Sequence, residues 1–393
     1  MLEAIIWGIG QASVMIESIL DKEEVNIIGY VDNDPKKWGH YKNGLLIYDP
    51  SKLNKLTYDI ILIASSFHQQ IMQQIKHLEI SNQKVINVQK MVEDSLEQQS
   101  QLASYKYYLN KLKRDLDLGI NATDLNTLIT GLSYAECGII SENISKKTLN
   151  LANAGQDLFY DYLLLKTILE KSDNHIQNVV IGLSYYSFEY DLSLSKVHGL
   201  RCKYIYEPVL KESHNLYSVL SEEESEKIYE RKKKFFQKFE SKIFKSEESL
   251  TEIIKNNNLS FKVPTYERFD GYTLEEKNKN GKFLAELDSK KNYPLTVKEN
   301  REIFSNLLKL LEEKQVNVLL VIFPVSKYYK LFFDDKLKEQ FYYILNKFLN
   351  DYRVTLIDLY NTELFEDMHF SNSSHLNYYG AVKVTDIINS FLK

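Results

Sequence analysis

Short apolar runs that each end in a small-residue loop and are followed by a helical pattern constrain this chain most. Ala4–Trp7 runs into Gly8-Ile9-Gly10-Gln11-Ala12-Ser13 and then the helical Val14–Leu20. Val25–Val31 stops at Asp-Asn-Asp-Pro, and Asp59–Ala64 is a continuous apolar run of the kind a parallel sheet buries on both faces. The same alternation resumes at Thr127–Thr130 before GLSYAECGI, at Asn178–Ile181 before GLSYYSF, and at Val316–Phe323 and Val354–Leu359. Strand–helix alternation of this kind specifies an α/β fold with parallel sheets.

At about 150 residues per domain, 393 residues suggest two or three domains. Residues 1–92 form the first series. Residues 93–125 carry Leu102, Tyr105, Leu109, Leu112 and Leu116 at helical spacing and read as a connecting helix. Residues 126–393 form the second series, interrupted at about 193–295 by a Lys-, Glu- and Phe-rich insertion whose helical charge run reads as a solvated face.

A formal charge of −5 gives no long-range pull on nucleic acid, so no nucleic-acid partner is expected. Cys137 and Cys202 are too few for a disulfide framework or a four-cysteine zinc site, and no His/Asp/Glu spacing reads as a metal site. The start, MLEAIIWGIG, has no basic residue before its apolar stretch, and no apolar run approaches the roughly 20 residues of a membrane span. A cytoplasmic protein without a membrane span is expected, and a homo-oligomer is compatible with this.

Two sites carry chemistry. In the first, Gly8 and Gly10 place backbone N–H groups and a helix start where a phosphate would lie. Ser13 keeps the helix close, and Asp32, 22 residues after Gly10, stands where a ribose hydroxyl is held, with Asp34 as the other candidate. A tight turn with Asp32 as a loop cap is the competing reading. The stretch GYVDNDPKKWGHYKNGLLIYDP with YDIILIAS resembles small Rossmann-type domains of bacterial sugar-modifying acyltransferases and polysaccharide-biosynthesis proteins. That resemblance implies a nucleotide-sugar rather than a dinucleotide; a dehydrogenase rests on GIGQAS alone.

Acyl transfer needs a hydroxyl nucleophile, an imidazole, a group fixing its tautomer, and oxyanion donors. Ser133 follows Gly131-Leu132 at a strand end, and His375 lies in Asn372-Ser373-Ser374-His375-Leu376-Asn377. Gly155 and Ser184 end two further strands. This order resembles the SGNH (GDSL-like) hydrolase superfamily over about residues 126–393 less the insertion. The resemblance implies Ser133 as nucleophile, His375 as base, and Gly155 and Ser184 as oxyanion donors, with Tyr185 or Gln156 as substitutes. Asn372 stands where the family has Asp and Ser184 where it has Asn. Asp367 is then a candidate for the missing carboxylate, and His369 for an alternative base. Cys137 reads as core.

The expected whole is a Rossmann-like domain followed by an SGNH-hydrolase-like α/β/α domain with a helical insertion. The expected function is a serine esterase or O-acyltransferase acting on a carbohydrate or nucleotide-linked sugar in surface-polysaccharide modification, with a nucleotide-sugar or acyl-CoA as candidate ligand and no metal. The alternative is a binding or scaffold protein whose hydrolase-like site has lost its chemistry.

Overall fold

The computed structural model describes residues 1–65, 67–173, 175–224, 226–228, 264–291, 293 and 295–392, without the side chains at 11, 15, 18, 19 and 91–103. Most of the charge run of the insertion, Leu102 and the phenylalanines at 235 and 236 lie outside this description. The chain divides into two compact units. The first takes in Met1–Ser104, and the second Tyr105–Glu222 with the described residues from 264 onward.

In the first unit the strands are β1 (Leu2–Trp7), β2 (Val25–Val31), β3 (Tyr41–Lys42), β4 (Leu45–Tyr48), β5 (Ile60–Ile63) and β6 (Val85–Ile86). They order as β3-β4-β2-β1-β5-β6, parallel except for the β3–β4 pair. Helices α1 (Gln11–Ile19) and α2 (His68–His77) follow β1 and β5. The short β3–β4 hairpin falls in a polar stretch with little apolar pattern. Asn43 and Gly44 at φ 51° and 78° make a two-residue turn of the kind that Asn-Gly favours. The strand ends align in register, Trp7 opposite both Val31 and Ile63, so the loops after β1, β2 and β5 meet at one edge.

Helix α3 (Val88–Asn121) starts within the first unit and ends within the second, as one continuous element where a helix from 93 to 125 was expected. Its buried Tyr105, Tyr108, Leu112 and Leu116 face the second unit's interior at helical spacing.

The second unit holds β7 (Thr127–Gly131), β8 (Thr148–Asn150), β9 (Asn178–Leu183), β10 (Asn317–Ile322) and β11 (Val354–Asp358). All are parallel, in the order β11-β10-β9-β7-β8. Every residue of β7 and β9 is buried, the pattern of a doubly covered parallel sheet. Helices α4 (Ser133–Gly138) and α5 (Leu158–Lys171) follow β7 and β8. The direction of winding reverses between β7 and β9, and in such sheets the crevice at the carboxyl ends of those strands is where ligands bind. Gly131 and Gly182 lie opposite each other at that reversal. A Cβ on Gly131, at φ +133°, would stand 2.5 Å from the Gly182 carbonyl oxygen, so the close approach of β7 and β9 requires glycine.

Helix Leu274–Ser289, inside the expected insertion, carries a capping box at Thr273 and Glu276. Among the described residues no helix is long and apolar enough to cross a membrane.

Candidate active site

Ser133 is the first residue of α4, directly beyond the β7 end. Its N–H is one of those a helix start leaves without an intrahelical acceptor. His375 lies in the loop before the last helix, Tyr378–Asn389, closed by the Ser371 N–H donating to the His375 carbonyl at 2.9 Å. Although 242 positions apart, Ser133 Oγ and His375 Nε2 stand 2.8 Å from each other.

The imidazole tautomer follows from Asn372. Its Oδ1 accepts from the backbone N–H groups of Ser374 at 3.0 Å and His375 at 2.9 Å, so the oxygen and not the amide nitrogen faces them. The same oxygen lies 3.2 Å from His375 Nδ1, which must therefore carry the proton and donate. Ser374 Oγ, 3.0 Å from Nδ1, shares that contact. Nε2 is left with its lone pair toward the Ser133 hydroxyl, the arrangement a general base needs. Burial pushes the His375 imidazole down to about 4, with Lys291 adding to the effect and Asp288 opposing it.

Asp367 is not the partner of His375. Its Oδ2 accepts from Lys277 Nζ at 2.9 Å and from the Tyr328 hydroxyl at 3.2 Å, an ion pair between the loop and helix Leu274–Ser289. The eight-residue spacing that suggested it places it on a different turn, because Asn372 closes its own turn onto His375 first. His369 is not a base for Ser133 either; its Nδ1 accepts the Glu366 N–H at 3.0 Å.

Of the expected oxyanion donors, Gly155 sits at φ +74° beyond β8, with no hydrogen bond to its N–H among the described residues. Its carbonyl accepts from the Tyr190 hydroxyl at 3.0 Å. Ser184 follows β9, but its N–H donates to Ser187 Oγ at 2.9 Å and its hydroxyl is hydrogen-bonded to Tyr186, a contact a substrate oxyanion would have to share. The two substitutes are already committed: Gln156 Nε2 donates to Asp161 at 2.7 Å and the Tyr185 hydroxyl to Asp358 at 3.0 Å. Burial pushes the Cys137 thiol up, although the side chain is only half-buried.

The support beneath the imidazole escaped sequence reasoning. The Tyr134 ring stacks on His375 at 5.2 Å and 17°. Its hydroxyl donates to Asp288 Oδ2 at 3.0 Å, as does that of Tyr329 at 2.8 Å, and Lys291 pairs with Oδ1 at 2.6 Å. Asp288 and Lys291 close the expected insertion, which had no visible link to the site. Tyr134, adjoining Ser133, was the one available signal. A narrow cavity of about 10 Å³ lies beside Tyr134, Ser184, Phe323 and Tyr329.

In the first unit a cavity of about 770 Å³ is lined by Gly8, Gly10, Asp32, Lys37, Ala64 and Phe67, among others. The side chains expected there are already engaged. Ser13 is fully buried and faces inward, its hydroxyl donating to the Gly10 carbonyl at 2.7 Å and taking Lys42 Nζ. The Asp32 carboxylate already accepts from Ile9 N–H, Asp34 N–H and, through both oxygens, Lys37 Nζ at 3.2 Å. It braces the glycine loop, and a ribose hydroxyl would have to displace Lys37. Asp34 caps the turn that follows, accepting from Lys36 N–H at 3.0 Å.

Elsewhere, Asp157, Asp191 and His214 cluster in the second unit. His214 Nδ1 stands 3.1 Å from Asp157 and 3.2 Å from Asp191. Burial alone would lower that imidazole, but the two carboxylates outweigh it and raise the group to about 10. The cluster is therefore a protonated His214 bridging two acids.

Residues 1–86 match the family described as C2185-like, N-terminal. No curated protein matches the chain. Among solved structures, the chain is similar to a protein of Streptococcus pneumonia provisionally named a platelet activating factor. The identity is 10% and the TM-score 0.39, over 74% of this chain and 98% of that one. It is also similar to a provisionally named acylhydrolase of Bacteroides fragilis NCTC 9343, at 8% identity and TM-score 0.33, over 72% and 95%.

Proposed function

We propose that the second unit is a serine esterase or O-acyltransferase acting on a carbohydrate. The observation that carries this is the 2.8 Å contact between Ser133 Oγ and a His375 Nε2 whose tautomer Asn372 dictates. Ser133 would attack the acyl carbonyl while His375 takes its proton. The N–H groups of Ser133 and Gly155, with the Ser184 hydroxyl, would receive the oxyanion, and His375 would return the proton to the departing alcohol. Water or a second hydroxyl then takes the acyl group from Ser133.

The first-unit cavity, about 770 Å³ at a strand-order reversal, is the place for a nucleotide-sized ligand, with a nucleotide-sugar as the leading candidate. Surface-polysaccharide modification is the setting that joins a sugar ligand to acyl transfer.

The deciding experiment is hydrolysis of an aryl acetate, together with labelling by a fluorophosphonate. Wild type should be labelled at Ser133 and turn over. Ser133→Ala should lose labelling and at least about a thousandfold in kcat. Undiminished activity in that variant would refute the assignment.

A further inference from the structure

Arg201 is a buried cation with no ion pair among the described residues. The residue is 8% exposed. Its guanidinium lies over the Tyr108 ring at 4.6 Å, and Nη1 donates to the Ala154 carbonyl. Among the described residues no carboxylate comes within ion-pairing distance of it. Glu136 is close enough to feel its charge without pairing with it, and burial pushes that acid up while Lys111 and Arg201 oppose the shift. Holding a guanidinium out of water without a counter-charge is costly, and a planar fork of donors suits a carboxylate or phosphate.

Its position is beside the Gly155 loop. Nη1 lies 3.4 Å from the point a Cβ on Gly155 would occupy, with the Tyr190 hydroxyl 3.5 Å from that same point. Across Tyr190 stands a second cation, Lys291, 5.3 Å above that ring and part-exposed.

We infer that Arg201 recognises an anionic group on the substrate, so that the ester presented to Ser133 carries a carboxylate or a phosphate next to the Gly155 loop. This rests on the reading of Ser133 as nucleophile. It adds a substrate class that neither the Ser133–His375 pair nor Gly155 specifies. Arg201 also holds the Ala154 carbonyl, and a loop-holding role alone would affect neutral and charged esters alike.

The test compares three acetyl esters: an acetylated methyl glucoside, the corresponding methyl glucuronide and an acetylated glucose phosphate. Wild type should prefer at least one anionic ester tenfold or more in kcat/KM, and the better of the two identifies carboxylate or phosphate. Arg201→Ala should lose that preference mainly through KM, with a loss on the anionic ester at least tenfold greater than whatever loss the freed Ala154 loop brings to both. Arg201→Lys, which keeps the charge and fills most of the volume, should fall between. Equal losses on neutral and anionic esters, or no anionic preference in wild type, would overturn the inference. Fluorophosphonate labelling reports the Ser133 reading separately. If labelling fails, the melting temperature in inorganic phosphate still decides: a rise in wild type that Arg201→Ala and Arg201→Lys progressively lose supports the anion subsite, and no rise in wild type overturns it.

Discussion

His375 can take a proton from Ser133 only while it is neutral, and its surroundings keep it neutral. A buried imidazole lowered to about 4 is unprotonated throughout the ordinary range. The acid limb of kcat/KM should therefore fall as pH drops through about 4, not 6.5, in a pH–rate profile on an aryl acetate. Asn372 orients the ring but brings no charge to stabilise imidazolium. Asn372→Asp should move the acid limb up by about one unit or more, since a carboxylate beside Nδ1 favours the charged form. Asn372→Ala should lower kcat about tenfold to a hundredfold because the Nδ1 proton loses its acceptor, and should lower the melting temperature as well because the Ser374 and His375 N–H groups lose theirs. The pair Ser133 and His375 was legible from local context, a strand-end Gly-x-Ser and an Asn-x-x-His before a helix. The preference for Asn372 over Asp367 was not. It depends on which oxygen the turn points at Nδ1, and spacing does not say that.

At the scale of elements, close approach of the strands sets the site. Gly131→Ala should destabilise the protein by at least about 2 kcal/mol in urea unfolding, because the added Cβ meets the Gly182 carbonyl and the backbone sits at φ +133°. The protonated His214 ties the segment after β9 to the start of α5, where Asp157 caps the Tyr160 N–H at 3.2 Å. Its folded value, about 10, lies above the ordinary 6.5. Its stabilising contribution is thus full below about 6.5, shrinks as pH rises, and is gone above about 10. The urea midpoint of wild type should decline over that window more steeply than that of His214→Gln. Strand and helix runs such as Val25–Val31 and Leu158–Lys171 were readable because burial on one or both faces leaves an apolar period in the chain. The β3–β4 hairpin was missed despite its Asn-Gly turn, since two short edge strands among polar residues carry almost no apolar period.

At the scale of the whole molecule, each unit places its loops at a reversal of strand order, and each such edge holds a cavity. A nucleotide-sugar that fills the first-unit cavity should raise stability by about 2.7 kcal/mol at a hundredfold excess over its Kd, while NAD should leave it unchanged. Thermal unfolding with UDP-glucose and with NAD checks this. Alternating apolar runs and small-residue loops by themselves determined a chain of parallel αβ series, because burying both faces of a parallel sheet demands that pattern wherever the chain goes. They also marked Ser133 and His375, whose neighbours in sequence form the loops that hold them. Only the tertiary structure decided that Asp288, Lys291 and Arg201 stand at that edge and that Asp32 and Asp367 are spent on lysines. Charged side chains brought together from segments far apart leave no periodicity, and their pairing follows from distances that close only when the sheet is complete.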